Sequence, residues 1–267
     1  MKNFSEWKPN LPKHKTIIDK TSYRAPHQVW DLKDAENIEI THFKPVSVTD
    51  RLAFIMMKGL RKSFDFFSRY KPGRMDEDKY LRRIIFLETI AGVPGMIGGI
   101  IRHFNALRFL REDGGWIHHL LEEAENERMH LLTFLKLKNP NVLERASIIL
   151  GQSIFIFYYF SMYILSYKLA HRFVGYLEEE AVKTYTNLIQ EIDEGKLPLW
   201  KDLKAHPEAI KYWALPEDAS MRDVFLAIRA DEMAHREFNH RFASMKKTQQ
   251  IEKEDYYIKD ENPIKWH

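Results

Sequence analysis

Two short segments have the residue types and spacing to hold a metal. One is Glu127-Arg128-Met129-His130 and the other is Glu232-Met233-Ala234-His235. Glu and His at positions i and i+3 lie on one face of a helix, so both side chains can reach a single ion. An ExxH pair from each of two helices, with one Glu from each of two more, is the layout of carboxylate-bridged di-metal bundles. A lone ExxH is weak evidence, and the chain has a third, Glu237-Phe238-Asn239-His240. The helical seams separate them. Steps of three and four through the last helical segment give Phe225, Ile228, Glu232, His235, Asn239 and Phe242, an apolar inward stripe that the Glu/His pair interrupts. The stripe through Glu237 and His240 passes Ala230, Met233 and Ser244 and is less apolar. Around Glu127 the seam reads Leu120, Glu123, Glu127, His130, Phe134 and Leu137, and again the pair sits where a core residue belongs.

Two further carboxylates are out of place. Glu88 stands in the apolar run RRIIFLETIAGVPG. Glu178 begins Glu178-Glu179-Glu180, and its seam is His171, Val174, Glu178, Ala181, Tyr185 and Leu188. Spacing alone does not separate Glu178 from Glu179 or Glu180; the seam shared with His171 and Tyr185 favours Glu178. An unpaired buried carboxylate is costly. Four of them with two imidazoles balance two divalent cations, so the expected set is Glu88, Glu127, His130, Glu178, Glu232 and His235.

Helices must carry these residues. Six long helical patterns are predicted, over about 48–70, 79–110, 116–138, 141–168, 171–194 and 221–245, with Thr49 as N-cap of the first and Asn139-Pro140 ending the third. No strand series is evident. Residues 1–47, punctuated by Pro9, Pro12, Pro26 and Pro45, read as an extended surface arm; 48–245 form one helical domain; 246–267 are a charged tail. The predicted fold is all-α: a ferritin-like four-helix di-iron bundle with two additional amphipathic or apolar helices at a membrane surface.

Composition limits the chemistry. The 267-residue chain has no cysteine, so iron–sulfur clusters, thiolate zinc and disulfides are excluded, and any metal must use Asp, Glu and His. Such ligands suit iron, manganese or zinc. A net charge of +3 gives no reason to expect a nucleic-acid partner. The first 15 residues lack the apolar core of a secretory signal and the Arg/Ser-rich, acid-poor pattern of an organellar transit peptide.

Four blocks, LETIAGVPG (87–95), NERMHL (126–131), LEEEAVKTY (177–185) and RADEMAHR (229–236), together with the upstream ITHFKP and DRLAF, resemble the alternative oxidases in order and spacing from about Trp30 onward. The resemblance implies a cyanide-insensitive ubiquinol oxidase with two non-haem irons per chain and no haem or flavin. It implies a homodimer, monotopic on one leaflet of the mitochondrial inner membrane, on the matrix side. It assigns the six metal ligands as above, makes Tyr185 the redox-active tyrosine, and places Trp30, Asn126, His171 and Asp231 behind the ligands. It assigns Arg83, Leu87, Leu177, Ala181 and Thr184 to the quinol pocket. The thiol regulation of plant members has no cysteine to act through here.

The membrane expectation has its own support. No charge falls between Arg145 and Lys168, a stretch long enough to span a bilayer. Glu127 and Glu178 flank it, however, and a single crossing would put them on opposite sides. Lying in one leaflet removes the conflict. The first helix is amphipathic, with Leu52, Ile55, Met56, Gly59, Leu60, Phe67 and Tyr70 on one face and Arg51, Lys58, Arg61, Lys62 and Arg69 beside it. Two other readings compete: a different di-iron enzyme, such as a quinone-ring hydroxylase or plastid-type quinol oxidase, and a non-enzymatic membrane-bound metal-storage or scaffold protein.

Overall fold

The computed structural model describes residues 12–17, 26–71 and 73–251. Most of the described chain is helical, and the long helices start where the sequence supplies a cap. Helix α2 (Val48–Ser68) opens on a capping box, with Ser47 Oγ accepting from Asp50 N and the Asp50 carboxylate accepting from Ser47 N. The cap is therefore Ser47, not Thr49. Equivalent boxes, Asn141 with Glu144 and Ser220 with Asp223, start α5 (Val142–Leu165) and α9 (Met221–Ser244). Ser166 ends α5 and caps α6 (Tyr167–Asp193), so the chain turns from one helix into the next at a single residue. The predicted start of that helix at His171 is thus four residues late.

Helices α3 (Glu77–Arg108), α4 (Trp116–Leu135), α6 and α9 form the bundle, with α3 packed on α4 and α6 on α9. Helix α2 lies on α6, and α5 lies against α3 and α6. The two extra helices therefore cover one side of the bundle only. The opposite side is covered by N-terminal residues, where the sequence reading needs correction. A two-stranded antiparallel sheet pairs β1 (His14–Ile17) with β2 (His27–Trp30), and a short helix α1 (Leu32–Glu36) follows. All four residues of β2 are buried, so this part of the arm is built into the body. Its alternation was invisible to a search for strand series because only four residues pair and both faces are covered. The connection before α9 likewise folds, into α7 (Pro198–Lys201) and α8 (Pro207–Trp213). After α9, Ile251 is buried and its N–H donates to Gly114 O; the remainder of the expected charged tail lies outside the described residues.

The glycine-rich run of α3 explains how two bundle helices approach so closely. A Cβ on Gly95 would stand 2.3 Å from the Leu120 carbonyl oxygen of α4, a backbone atom with no freedom to retreat. Gly59 on α2 has nothing within 4 Å of such a position. Gly95→Ala should therefore separate α3 from α4 and lower stability by at least about 2 kcal/mol. Gly59→Ala should leave stability unchanged or raise it by about 0.5–1 kcal/mol. Thermal unfolding of the two variants checks the contrast; equal melting temperatures would contradict it.

Candidate metal centre

Each long bundle helix brings one part of the cluster inward. Glu88 comes from α3, Glu127 and His130 from α4, Glu178 from α6, and Glu232 and His235 from α9; all six are buried. Ligand atoms of Glu88, Glu127, His130 and Glu232 lie within 4.8 Å of one another. His130 Nδ1 faces three carboxylates at once, Glu88 Oε2 at 3.3 Å, Glu127 Oε2 at 3.4 Å and Glu232 Oε1 at 3.5 Å. His235 Nδ1 stands 2.8 Å from Glu127 Oε1. Glu178 is buried beside Glu232, whose charge and hydrogen bond act on it.

The directions of these atoms matter more than their separations. Glu88 Oε2, both Glu127 oxygens, Glu232 Oε2, His130 Nδ1 and His235 Nδ1 are buried without a hydrogen-bond partner, although several are close enough to one another. They crowd one another without a well-directed hydrogen bond. Orphaned buried polar atoms are rare and expensive, and a cation is the group that satisfies converging lone pairs of both types. Four carboxylates and two imidazoles with no thiolate fit two hard or borderline divalent ions.

The surroundings fix the orientation of His130. Its Nε2 lies 3.0 Å from Asp231 Oδ2, so Nε2–H donates and Nδ1 is left facing the carboxylates. Asp231 also accepts from Trp30 Nε1 at 2.5 Å, Trp213 Nε1 at 2.9 Å and Asn126 Nδ2 at 3.1 Å. Burial opposes the charge on Asp231, but these bonds and the neighbouring imidazoles outweigh it and hold its carboxyl below the usual range. Trp213 was missed by the sequence reading: it lies on the short α8, where no periodic seam marks it. Asn239 and Glu123 sat in the predicted seams without a role. Here Asn239 donates to Glu123 Oε2 at 2.9 Å and its Oδ1 meets His171 Nδ1 at 2.9 Å. His171 thus reaches the centre through Asn239, and its Nε2 meets Tyr163 OH at 3.1 Å.

The three consecutive glutamates of α6 part company. Glu179 accepts from His42 Nδ1, Phe43 N and His240 Nε2 at 2.6, 2.8 and 2.9 Å, and Glu180 pairs with Lys58 at 2.8 Å. Only Glu178 faces the cluster. His240 of the third ExxH is occupied by Glu179 and by Arg172 Nη1 at 2.9 Å, and Glu237 pairs with Arg236.

Tyr185 donates its hydroxyl to Glu88 Oε1 at 2.5 Å. Burial, and then the charges of Glu88 and Glu232, push its ionisation well above the ordinary tyrosine value, so it stays a phenol. Leu87 on α3 and Leu177, Ala181 and Thr184 on α6 are half-buried; Leu177 packs with α2 and α5 residues, and Thr184 accepts from Arg61 of α2. Arg83 is buried. Its side chain is 2% exposed, donates to Asp65 Oδ1 at 2.6 Å and Ser68 Oγ at 2.7 Å, and stacks over Tyr70.

This is a helical bundle with a buried carboxylate–imidazole cluster that could hold metal. The alternative oxidase family profile matches residues 30–244. The chain is 47% identical over 245 residues to the mitochondrial alternative oxidase of Trypanosoma brucei brucei, covering 91% of this chain and 72% of that one. It is 44% identical to the mitochondrial alternative oxidases of Aspergillus niger and Cryptococcus neoformans, spanning 71% and 60% of their lengths. The chain belongs to the alternative oxidase family.

Charge balance makes the metal-free protein sensitive to pH. Burial pushes Glu88 up to about 8 and Glu178 well above the usual carboxylate range. Burial works against the charged imidazoles, but the carboxylates overcome it, raising His235 to about 9 and His130 well above its ordinary value. All four bind protons more tightly folded than unfolded, so their contribution is complete at low pH and is lost as pH rises. Burial opposes the charge on Glu127 too, but His130 and His235 hold its carboxyl below the usual range, so it and Asp231 act in the opposite sense only in acid. The melting temperature of chelator-treated protein should therefore fall between about pH 5 and about pH 9. Iron-loaded protein should show a much flatter profile, because the cations replace the protons. Calorimetry of both forms tests this, and parallel profiles would contradict it.

Proposed function

We propose that this protein is a monotopic membrane ubiquinol oxidase that couples oxidation of two quinols to four-electron reduction of dioxygen to two waters, without proton pumping. The observation that carries the reading is the convergence of unpaired ligand atoms from α3, α4 and α9, with Glu178 of α6 buried beside Glu232, in a chain of the alternative oxidase family. Glu88, Glu127, His130, Glu178, Glu232 and His235 would hold two irons, which when bound supply the electron-accepting and dioxygen-reducing chemistry. Haem and flavin are not required by this scheme.

The protein's own residues do the rest. Quinol approaches from the side covered by α2 and α5, where Leu87, Leu177, Ala181 and Thr184 form the lining. Arg83, held rigid by Asp65 and Ser68, sets the charge at the margin of that lining. Tyr185, whose hydroxyl donates to the Glu88 carboxylate, passes an electron and a proton inward. Asp231, with Trp30 and Asn126, locks the His130 ring, and Asn239 ties His171 to Glu123. The four protons released by quinol equal the four consumed by dioxygen, so no charge separation is stored.

Membrane attachment follows from what is left exposed. Helix α5 is long and apolar enough to cross a bilayer, yet only 22% of its most apolar stretch is buried, unlike a core helix. Ile149, Leu150, Ile154, Phe157, Ile164 and Leu165 of α5 are exposed, as are Leu52, Ile55, Phe66 and Phe67 of α2 with Arg51, Lys62 and Arg69 beside them. Apolar faces with basic flanks suit an anionic leaflet. The ligands on either side of α5 in sequence reach the same cluster, which a single crossing forbids. The relatives' names support a mitochondrial location, and we assign the inner membrane, its matrix side and a homodimer on the same family basis.

Iron-loaded protein should consume oxygen with a reduced ubiquinol in the presence of cyanide and yield quinone and water; hydroxylated quinone would indicate a ring hydroxylase. Tyr185→Phe should fold, keep two irons per chain and lose nearly all turnover, whereas a tyrosine that only fills the core would cost about 1–3 kcal/mol of stability and spare turnover in the folded fraction. Iron content, melting temperature and turnover per centre separate the two. Single cysteines near Arg145 and Lys168 should be labelled from the same side of sealed vesicles; labelling from opposite sides would establish a span.

A further inference from the structure

A second feature opens on the centre from the side away from α2 and α5. A cavity of about 40 Å³ lies between β2, α4 and α9 and reaches His235. Three polar atoms on its wall are buried with no hydrogen-bond partner among the described residues: Gln28 Nε2, Glu122 Oε2 and Asn126 Oδ1. Glu122 and Asn126 are one helical turn apart on α4, and Gln28 faces them from β2. Asn126 marks the inner end, since its amide nitrogen donates to Asp231 behind His130. Glu122 marks the outer end: its side chain is 13% exposed, and its nearest ionic neighbour is His118 at 3.8 Å, too far for a hydrogen bond and itself 42% exposed.

The chemistry of the wall selects the occupant. An amide N–H counts against a cation, and a carboxylate counts against an anion. Water both donates and accepts, and two to four polar partners in a cavity of this size suit one or two molecules of it. A quinol does not fit the volume. We propose that this cavity is the water port of the centre, holding ordered water between Gln28, Asn126 and Glu122 and passing product water to the solvent on the face opposite the apolar helices. The inference rests on the oxidase reading: two quinols and one dioxygen give two quinones and two waters, with all four electrons and four protons supplied by the quinols. Those waters form at a centre whose other side faces lipid, where water is poorly accommodated. A polar exit on the α4/α9 side lets quinol and water use separate routes.

The test has a structural and a kinetic arm, both on the iron-loaded full chain. A crystal structure of the wild type should show ordered water touching Gln28 and Asn126, and Gln28→Leu should abolish it. Gln28→Leu and Glu122→Leu should lower kcat about tenfold and the quinol KM with it, leaving kcat/KM and iron content unchanged, the pattern expected when product departure is slowed and substrate capture is not. Glu122→Gln, which keeps an acceptor oxygen, should restore most of the turnover. If Gln28→Leu fails to fold, Glu122→Leu, nearer the surface, decides the kinetic arm. A dry cavity in the wild type, or wild-type kcat in a folded plugged variant, would overturn the proposal. Absence of quinol oxidation by the wild type would instead overturn the oxidase reading on which it rests.

Discussion

Four carboxylates taken out of water into one small volume repel each other and lose their hydration together. Glu88, Glu127, Glu178 and Glu232 are in that position, and two imidazoles cannot neutralise all four. Positive charge has to be supplied, and the fold is arranged so that it arrives at one place. Each carboxylate is anchored on a different bundle helix, except that α4 and α9 each add a histidine one turn on. Two divalent cations would turn the most unfavourable arrangement in the molecule into one of its strongest contacts, a general property of structural metal sites, whose binding energy becomes folding energy.

The packing around the cluster follows from the same constraint. The helices must approach closely enough for ligands on opposite sides to share an ion, which explains why α3 meets the backbone of α4 at Gly95 and α6 meets His240 of α9 at Gly175. The ligands must also stay oriented before a metal binds. Asp231 serves His130 in this way, and it needs four donors because a buried lone carboxylate would otherwise take up a proton. Two of those donors, Trp30 and Trp213, come from segments outside the bundle. The N-terminal strand and the short helix before α9 therefore do more than cover the surface: they complete the electrostatics of a ligand.

The two sides of the bundle are specialised in opposite ways. Helices α2 and α5 leave apolar side chains exposed beside α3 and α6, while β2 and α8 place tryptophans, amides and histidines against α9. Asn126 lies on the second side, where it donates to Tyr212 and Asp231. The reaction proposed above would benefit from that polarity, because neither the lipid-soluble reductant nor the water would have to cross the environment suited to the other.

The helices and the inward placing of the candidate ligands were legible in the sequence because both are local. An ExxH pair, a charged residue in an apolar seam and a capping box involve residues within one or two turns, and their geometry is set by the helix itself. The choice of Glu178 over its two neighbours leaned on a seam, and the seam could not show that Glu179 meets His42 and His240 and Glu180 meets Lys58, partners 60 or more residues away. Trp213 on Asp231, the burial of β2, the commitment of Arg83 to Asp65 and the polar cavity beside Gln28 were equally unreadable beforehand. Each depends on which surfaces the helices present to one another, and that is decided by packing across the whole chain, which no short-range pattern encodes.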